Sequence, residues 1–281
     1  MEDPLRVGVA RTHRGAVGDL VAHAELLRSL AVRELRVRYK QSLLGVGWAV
    51  LLPLSMMLVF TFVFTRAIDA SAALGLDVPY ALYAYVGLVP WTFFAASLNG
   101  CVNSLVANRN LITKIYFPRE VFPLSCVLSS GVDFAVAAAV LVVLMLYFAA
   151  GGQFTPRIGP ALALLPVVLA IQIALTAGLG MLLAMGNLFF RDVRQIFGVA
   201  IQLLMFVSGV VVPVPCDGSW TARVIALNPM VAIIGAYRDC LIHGRAPAAP
   251  GLLYAGVIAS LTLVFGWALF RRAAVRFAEC I

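Results

Sequence analysis

Long apolar runs separated by short charged loops recur along this chain on the length scale of a lipid bilayer. From Leu43 to Thr65 there are 23 residues without a charge, more than the ~20 an α-helix needs to cross a hydrocarbon core. Further apolar runs at about 80–106, 121–149, 161–187, 196–215 and 251–270 predict six membrane-spanning helices. The stretch Val224 to Tyr237 is also apolar, but it has only 14 residues and holds Asn228-Pro229. It is therefore expected to turn back within a re-entrant segment over about 217–245 rather than to cross.

Ahead of the first span, Asp19 to Lys40 put Leu26, Leu27, Leu30, Ala31 and Leu35 over part of one helical surface. Arg28, Arg33, Arg36 and Lys40 fall largely elsewhere, while Glu34 and Arg38 intrude on the apolar arc. Two readings are open: an amphipathic helix lying at headgroup level, or an ordinary basic flank of the first span.

Composition widens this picture from one span to the whole chain. It is 62% hydrophobic and 12% charged, with a mean hydropathy of +0.98, outside the range of a soluble domain. About forty polar or mixed residues precede the first apolar run, unlike a signal peptide, so the first span is expected to be retained. The expected organisation is a cytoplasmic N-terminus over 1–42, one membrane domain over 43–271 and a cytoplasmic tail over 272–281, with no attached soluble catalytic unit.

Charge then sets orientation. Sixteen Lys and Arg residues fall in the N-terminal segment, the loops after spans two and four, and the tail; five (Arg66, Arg157, Arg223, Arg238 and Arg245) fall on the other side. Positive charge is retained in the cytoplasm, which predicts that both termini are cytoplasmic. The net charge of +8 follows from this topology and calls for no nucleic-acid partner.

Several side chains stand out. In Ala107 to Glu120, Asn108 or Asn110 can cap a short helix, Leu111, Ile112, Ile115 and Tyr116 supply apolar contacts, and Pro118 stops it. Such a helix is either a docking knob for a protein partner or an element folded back into the headgroups. Tyr80, Tyr83, Gly87, Trp91 and Phe94 share one face of the second span, and Phe60 and Phe64 are four apart in the first. The aromatic faces suit sugar rings in a channel, or else helix packing and the interfacial belt. Asp133 is the acidic residue well inside a span, open to proton coupling or to a hydrogen-bonded packing role. Gly178, Gly180 and Ala184 have the spacing of a close helix contact. Cys216 and Cys240 share the outer loop and could pair there. The five cysteines and three histidines are scattered, so no metal site is expected. Neither Lys40 nor Lys114 follows a glycine, so no Walker A phosphate loop can be assembled and no cofactor is expected on this chain.

Four motifs in order, RVRYKQSLLGVGWAVLLPL running on to FTFVFTR, NRNLITKIYFPREVFPLS, NLFFRDVRQI and LNPM, resemble type-2 ABC exporter permeases of the polysaccharide branch, the membrane subunits of O-antigen, capsule and teichoic-acid exporters. The resemblance covers about Leu26 to Arg272; Leu52-Pro53 stands where the family often has Gln-Pro. It implies an all-α integral membrane fold: six spans, an interfacial gate helix at Asp19 to Lys40, a cytoplasmic coupling helix, and short re-entrant gate helices on the outer face. It implies a homodimeric channel in the bacterial inner membrane, with two copies of a separate ATPase subunit carrying Mg-ATP. The coupling segment matches Asn108, Asn110, Leu111, Ile112, Lys114, Ile115, Tyr116 and Phe117.

The expected function is export of a lipid-linked polysaccharide, this chain being a permease subunit and not itself an enzyme. Charge and position assign Arg33, Arg36, Arg38 and Lys40 to the lipid headgroup, and Phe60, Phe64, Tyr83, Trp91 and Phe94 are the candidate glycan channel. An exporter of a drug or small lipid would share the same spans. A secondary transporter would need inverted repeats or several intramembrane ionisable groups, and a polyprenyl-phosphate transferase would need clustered acids; the chain has neither pattern.

Overall fold

A computed structural model of the protein describes residues 23–40, 42, 44–45, 47–68, 76–114, 118–157, 159–214, 219–274 and 277. Among them the ordered elements are helices. In chain order they are α1 (Ala24–Tyr39), α2 (Gly47–Ile68), α3 (Tyr80–Ala107), α4 (Arg109–Lys114), α5 (Val121–Ala150), α6 (Leu165–Phe189, led in by a 3-10 turn at Pro160–Leu164), α7 (Asp192–Val207), α8 (Trp220–Ala226), α9 (Pro229–Arg238, continued by a π turn at Asp239–His243) and α10 (Ala249–Ala274).

Helices α2, α3, α5, α6 with its lead-in, and α10 are long and apolar enough to cross a membrane. The centre is α3, which packs against α2, α5, α6, α7 and α9. Of its most apolar stretch 78% is buried, against 11% for α2 and α5, so α3 faces protein over most of its surface while its neighbours turn one side outward. Glycines set how closely the outer helices approach. A Cβ on Gly178 of α6 would come within 2.6 Å of the Thr262 carbonyl oxygen, and one on Gly266 of α10 within 2.6 Å of the Gly178 oxygen. The two backbones therefore meet directly, the close contact that small residues permit in lipid.

The expected span over 196–215 takes another form. Helix α7 has 16 residues, about 24 Å long, so the turn that follows it completes the crossing of the ~30 Å core. The chain leaves the helix at Ser208 and turns through Gly209 at φ 71°, a conformation costly for residues that carry a Cβ. Ser208-Gly209 is small and uncharged, so a count of apolar length runs straight through it.

Leaving the helix frees backbone carbonyls inside the bundle, where each must find a donor. The Arg238 guanidinium supplies two, with Nη1 donating to the Gly209 oxygen at 2.6 Å and Nη2 to the Val210 oxygen at 2.7 Å. The Tyr80 hydroxyl donates to the Val211 oxygen at 3.0 Å. Arg238 lies 3.6 Å from the centre of the Tyr83 ring, and it fits because position 87 is glycine: a Cβ there would stand 2.6 Å from Nη2. The topology count treats Arg238 as an outer-loop charge; in the fold it is 7% exposed and acts as a strut.

Arg238 belongs to the expected re-entrant segment, where α8 and the α9 stretch meet at 84°. Ser219 accepts a hydrogen bond from the Ala222 N–H at the start of α8, and Asn228 accepts one from the Met230 N–H at the start of α9. Pro229 occupies the first turn of α9, a position that needs no N–H donor. The Asn228 amide also donates to the Ser208 hydroxyl at 2.8 Å, tying the bend to the end of α7. Deeper in, the Gln172 amide on α6 donates to the Pro90 oxygen at 2.7 Å and accepts from the Tyr237 hydroxyl at 3.0 Å, so α9 is fastened to α3 and α6.

Candidate functional site at the α1–α4 junction

Helix α1 lies along α5 because Leu30 and Ala31 are buried. Leu30 joins Leu105 of α3, Ile112 of α4, Phe122 of α5, Met181 of α6 and Phe270 of α10 in one apolar cluster. At this end of the bundle, α1 and α4 share a core with four of the long helices.

Two polar attachments hold α1 in register. At the first, Arg33 Nη2 donates to Asn108 Oδ1. Asn108 is buried and serves two helices: its amide donates to the Ser104 oxygen at 2.8 Å, closing α3, and its own carbonyl accepts from the N–H groups of Leu111 and Ile112, opening α4. At the second, Arg38 Nη1 donates to Asp133 Oδ2, and the Tyr39 hydroxyl donates to Asp133 Oδ1 at 2.5 Å. Burial first, then the bond to and the charge of Asp133, push the Tyr39 hydroxyl up from 10.0 to about 12, so it is a neutral donor at physiological pH.

A cavity of about 680 Å³ opens between α1, α2, α3 and α5. Asp133 and Arg38 line it together with Trp48, Thr92, Asn99 and Ser130. Asn99 and Asn103 lie one turn apart on the outward side of α3 and bond back to the carbonyls four residues earlier. Their spacing in an apolar span marks a polar stripe, a signal that the aromatic reading passes over.

The structure distributes the expected site residues unevenly. In α4, Leu111 and Ile112 turn into the bundle, Ile112 being 5% exposed, so they do not form an exposed apolar knob. The cause is Leu30 of α1, which gives them an internal partner; Arg109 and Asn110 are exposed instead. Ile115, Tyr116, Phe117 and the Lys114 side chain lie outside the described residues, as do residues 19–22 and Cys216. Arg33 and Arg38 are spoken for by Asn108 and Asp133, whereas Arg36 and Lys40 are exposed.

The aromatic stripe is also placed differently from the expectation of a channel lining. Tyr83, Trp91 and Phe94 are buried within the bundle, at 6%, 4% and 4% exposure, because this face of α3 is covered by its neighbours. Phe60 and Phe64 are half-buried, with Phe64 stacked on Tyr80 at 5.5 Å between ring centres. These rings fill core space in the single chain. No local pattern singles out Gln172, Tyr237 and Arg238 as fasteners, since their partners lie tens of residues away in sequence.

Residues 25–242 match a family model described as ABC-2 type transporter. An O-antigen export system permease protein RfbA from Myxococcus xanthus is 32% identical over 271 residues, covering 94% of this chain and 98% of that protein. A protein of the same name from Klebsiella pneumoniae is 30% identical, covering 92% and 95%. The polysialic acid transport protein KpsM of Escherichia coli is 23% identical, covering 87% and 92%.

Proposed function

Because the chain belongs to the ABC-2 type transporter family, we propose that it is the membrane permease subunit of an ATP-driven exporter that moves a lipid-linked polysaccharide outward across the bacterial inner membrane. The observation that carries this reading is the end-to-end likeness to O-antigen export permeases, 94% of one chain against 98% of the other. Both termini face the cytoplasm, and a separate ATPase subunit binds Mg-ATP below the bundle.

The junction explains how such a partner would act. Force delivered at α4 reaches α1 through Asn108 and Arg33, and α1 passes it to the middle of α5 through Arg38 and Asp133. Helix α1 thus works as a lever between the ATPase contact and the wall of the polar cavity. Arg36 and Lys40 remain exposed on it and face the lipid headgroups.

Two copies form the conduit. The outward sides of α2 and α7 expose Leu51, Leu58 and Phe62 and, on α7, Val199, Leu203 and Phe206. With Tyr83, Trp91 and Phe94 enclosed, the polymer path runs between two bundles and not through one.

An ATPase assay on the permease purified with its partner ABC ATPase tests the reading. Lipid-linked glycan should stimulate hydrolysis. Stimulation by a short-chain lipid or a drug alone, with no response to glycan, would give the protein to a different branch of exporters.

A further inference from the structure

A second cavity, of about 760 Å³, lies between α3 and α7. Arg109, Arg191 and Arg194 line it near the cytoplasmic ends of the helices with Gln195 beside them, and Asn103 and Gln202 line it further in. Gln202 is ten residues beyond the start of α7, about 15 Å deeper along the helix. Among the described residues no acidic side chain belongs to the lining; even Asp192, between two of the arginines, is outside it.

Positive-inside bias accounts for arginines at this depth, but it does not account for the amides. Gln195 and Gln202 are exposed on a helix that is otherwise apolar on that side, and an amide without a partner costs free energy in hydrocarbon. Neither glutamine, nor the Arg191 or Arg194 side chain, makes a hydrogen bond or ion pair with another described residue. A cationic mouth leading to an amide wall fits an anionic group joined to one rich in hydroxyls. Guanidinium forks match phosphate oxygens two at a time, and amides both donate to and accept from hydroxyls.

We infer that the groove between α3 and α7 is the binding site for the phosphate or diphosphate headgroup of a lipid-linked glycan, with Arg191 and Arg194 on the phosphate oxygens and Gln195 and Gln202 on the first sugar. This rests on the exporter reading above and moves the headgroup away from α1, two of whose arginines are engaged with Asn108 and Asp133. Arg109, the first residue of α4, lines the same groove, so an occupant touches the helix that the ATPase is expected to move.

The test is direct titration of geranylgeranyl diphosphate into the permease–ATPase complex held in phosphatidylcholine nanodiscs. The double variant Arg191→Gln/Arg194→Gln should bind about tenfold more weakly or worse, the loss expected from removing two charge-assisted contacts. Arg191→Lys/Arg194→Lys should recover part of the affinity. Arg223→Gln, an exposed arginine on α8, should bind as native, and geranylgeraniol should not bind. Native affinity in the double glutamine variant overturns the inference. Equal affinity for inorganic pyrophosphate overturns the lipid-headgroup assignment, and so does full competition by phosphatidylglycerol added to the disc. Glycan export is measured on the same proteins. Weakened probe binding in the double variant of a protein that exports no glycan would overturn the exporter reading alone; native binding and native export in that variant would overturn the groove alone.

Discussion

Arg38 donates to the Asp133 carboxylate across 95 positions of sequence, which gives a carboxylate inside a membrane helix a cation carried in from an interfacial one. A charge at that depth is costly without a partner. Neither residue explains itself alone, and together they fix where α1 ends against α5.

This pair is expected to be coupled. Both side chains keep some solvent contact, 32% and 17% exposed, so the pair is worth about 1 kcal/mol, in the range of a partly exposed bridge. Asp133→Asn and Arg38→Gln should each lower thermal stability in detergent, and the double variant should be no worse than the weaker single one. Full additivity would show that the two side chains act independently.

Tyr39 gives the clasp a pH signature. Its hydroxyl is raised from 10.0 to about 12, so the folded protein holds this proton more tightly than the unfolded chain. Its contribution is complete below the unfolded value of 10.0 and is lost as pH rises from there through about 12. The stability gap between the native protein and Tyr39→Phe should therefore be constant at neutral pH and close over that alkaline window. A gap unchanged throughout would remove Tyr39 from the clasp.

Asn108 is predicted to separate ATP hydrolysis from transport. Asn108→Ala removes the acceptor for Arg33 and the donor that closes α3, while leaving Arg109 and Asn110 exposed. The variant should still assemble with the ATPase and hydrolyse ATP, and its export should drop about tenfold, the result of losing a linkage worth about 1.4 kcal/mol. Parallel loss of both activities would point to failed assembly instead.

The Arg238 strut is tested through a thiol. Cys240 is fully buried beside Arg238, and Gly87→Ala would put a Cβ 2.6 Å from the Arg238 nitrogen. Arg238→Leu strands the Gly209 and Val210 carbonyls at a cost of about 1–3 kcal/mol each. Both variants should make Cys240 react with maleimide far faster than in the native protein. Protection as complete as in the native protein would show that the hairpin is held by packing alone.

How far the chain can be read from its residues depends on the range of the interaction. The long spans, the bend at Asn228-Pro229 and the close contact at Gly178 are local patterns, visible as run length, a cap followed by proline, and small-residue spacing. The aromatic spacing in α3 puts Tyr83, Trp91 and Phe94 on one face, but periodicity is silent about whether that face meets water, lipid or protein. The break in α7 is hidden because Ser208-Gly209 is no more polar than a span allows. Arg238 is misplaced because charge counting assumes that a cation beyond a span sits in water, and here its partners are carbonyls freed by a turn 28 residues earlier. The Asp133 partner is illegible for the same reason.

The most direct test of the account is polysaccharide movement itself. Inverted membrane vesicles carrying this chain and its partner ABC ATPase, loaded from outside with lipid-linked glycan and ATP, should accumulate the polymer in the lumen, and vesicles lacking either subunit should not. Accumulation of a small lipid or drug under the same conditions, with the polymer left on the cytoplasmic face, would contradict it.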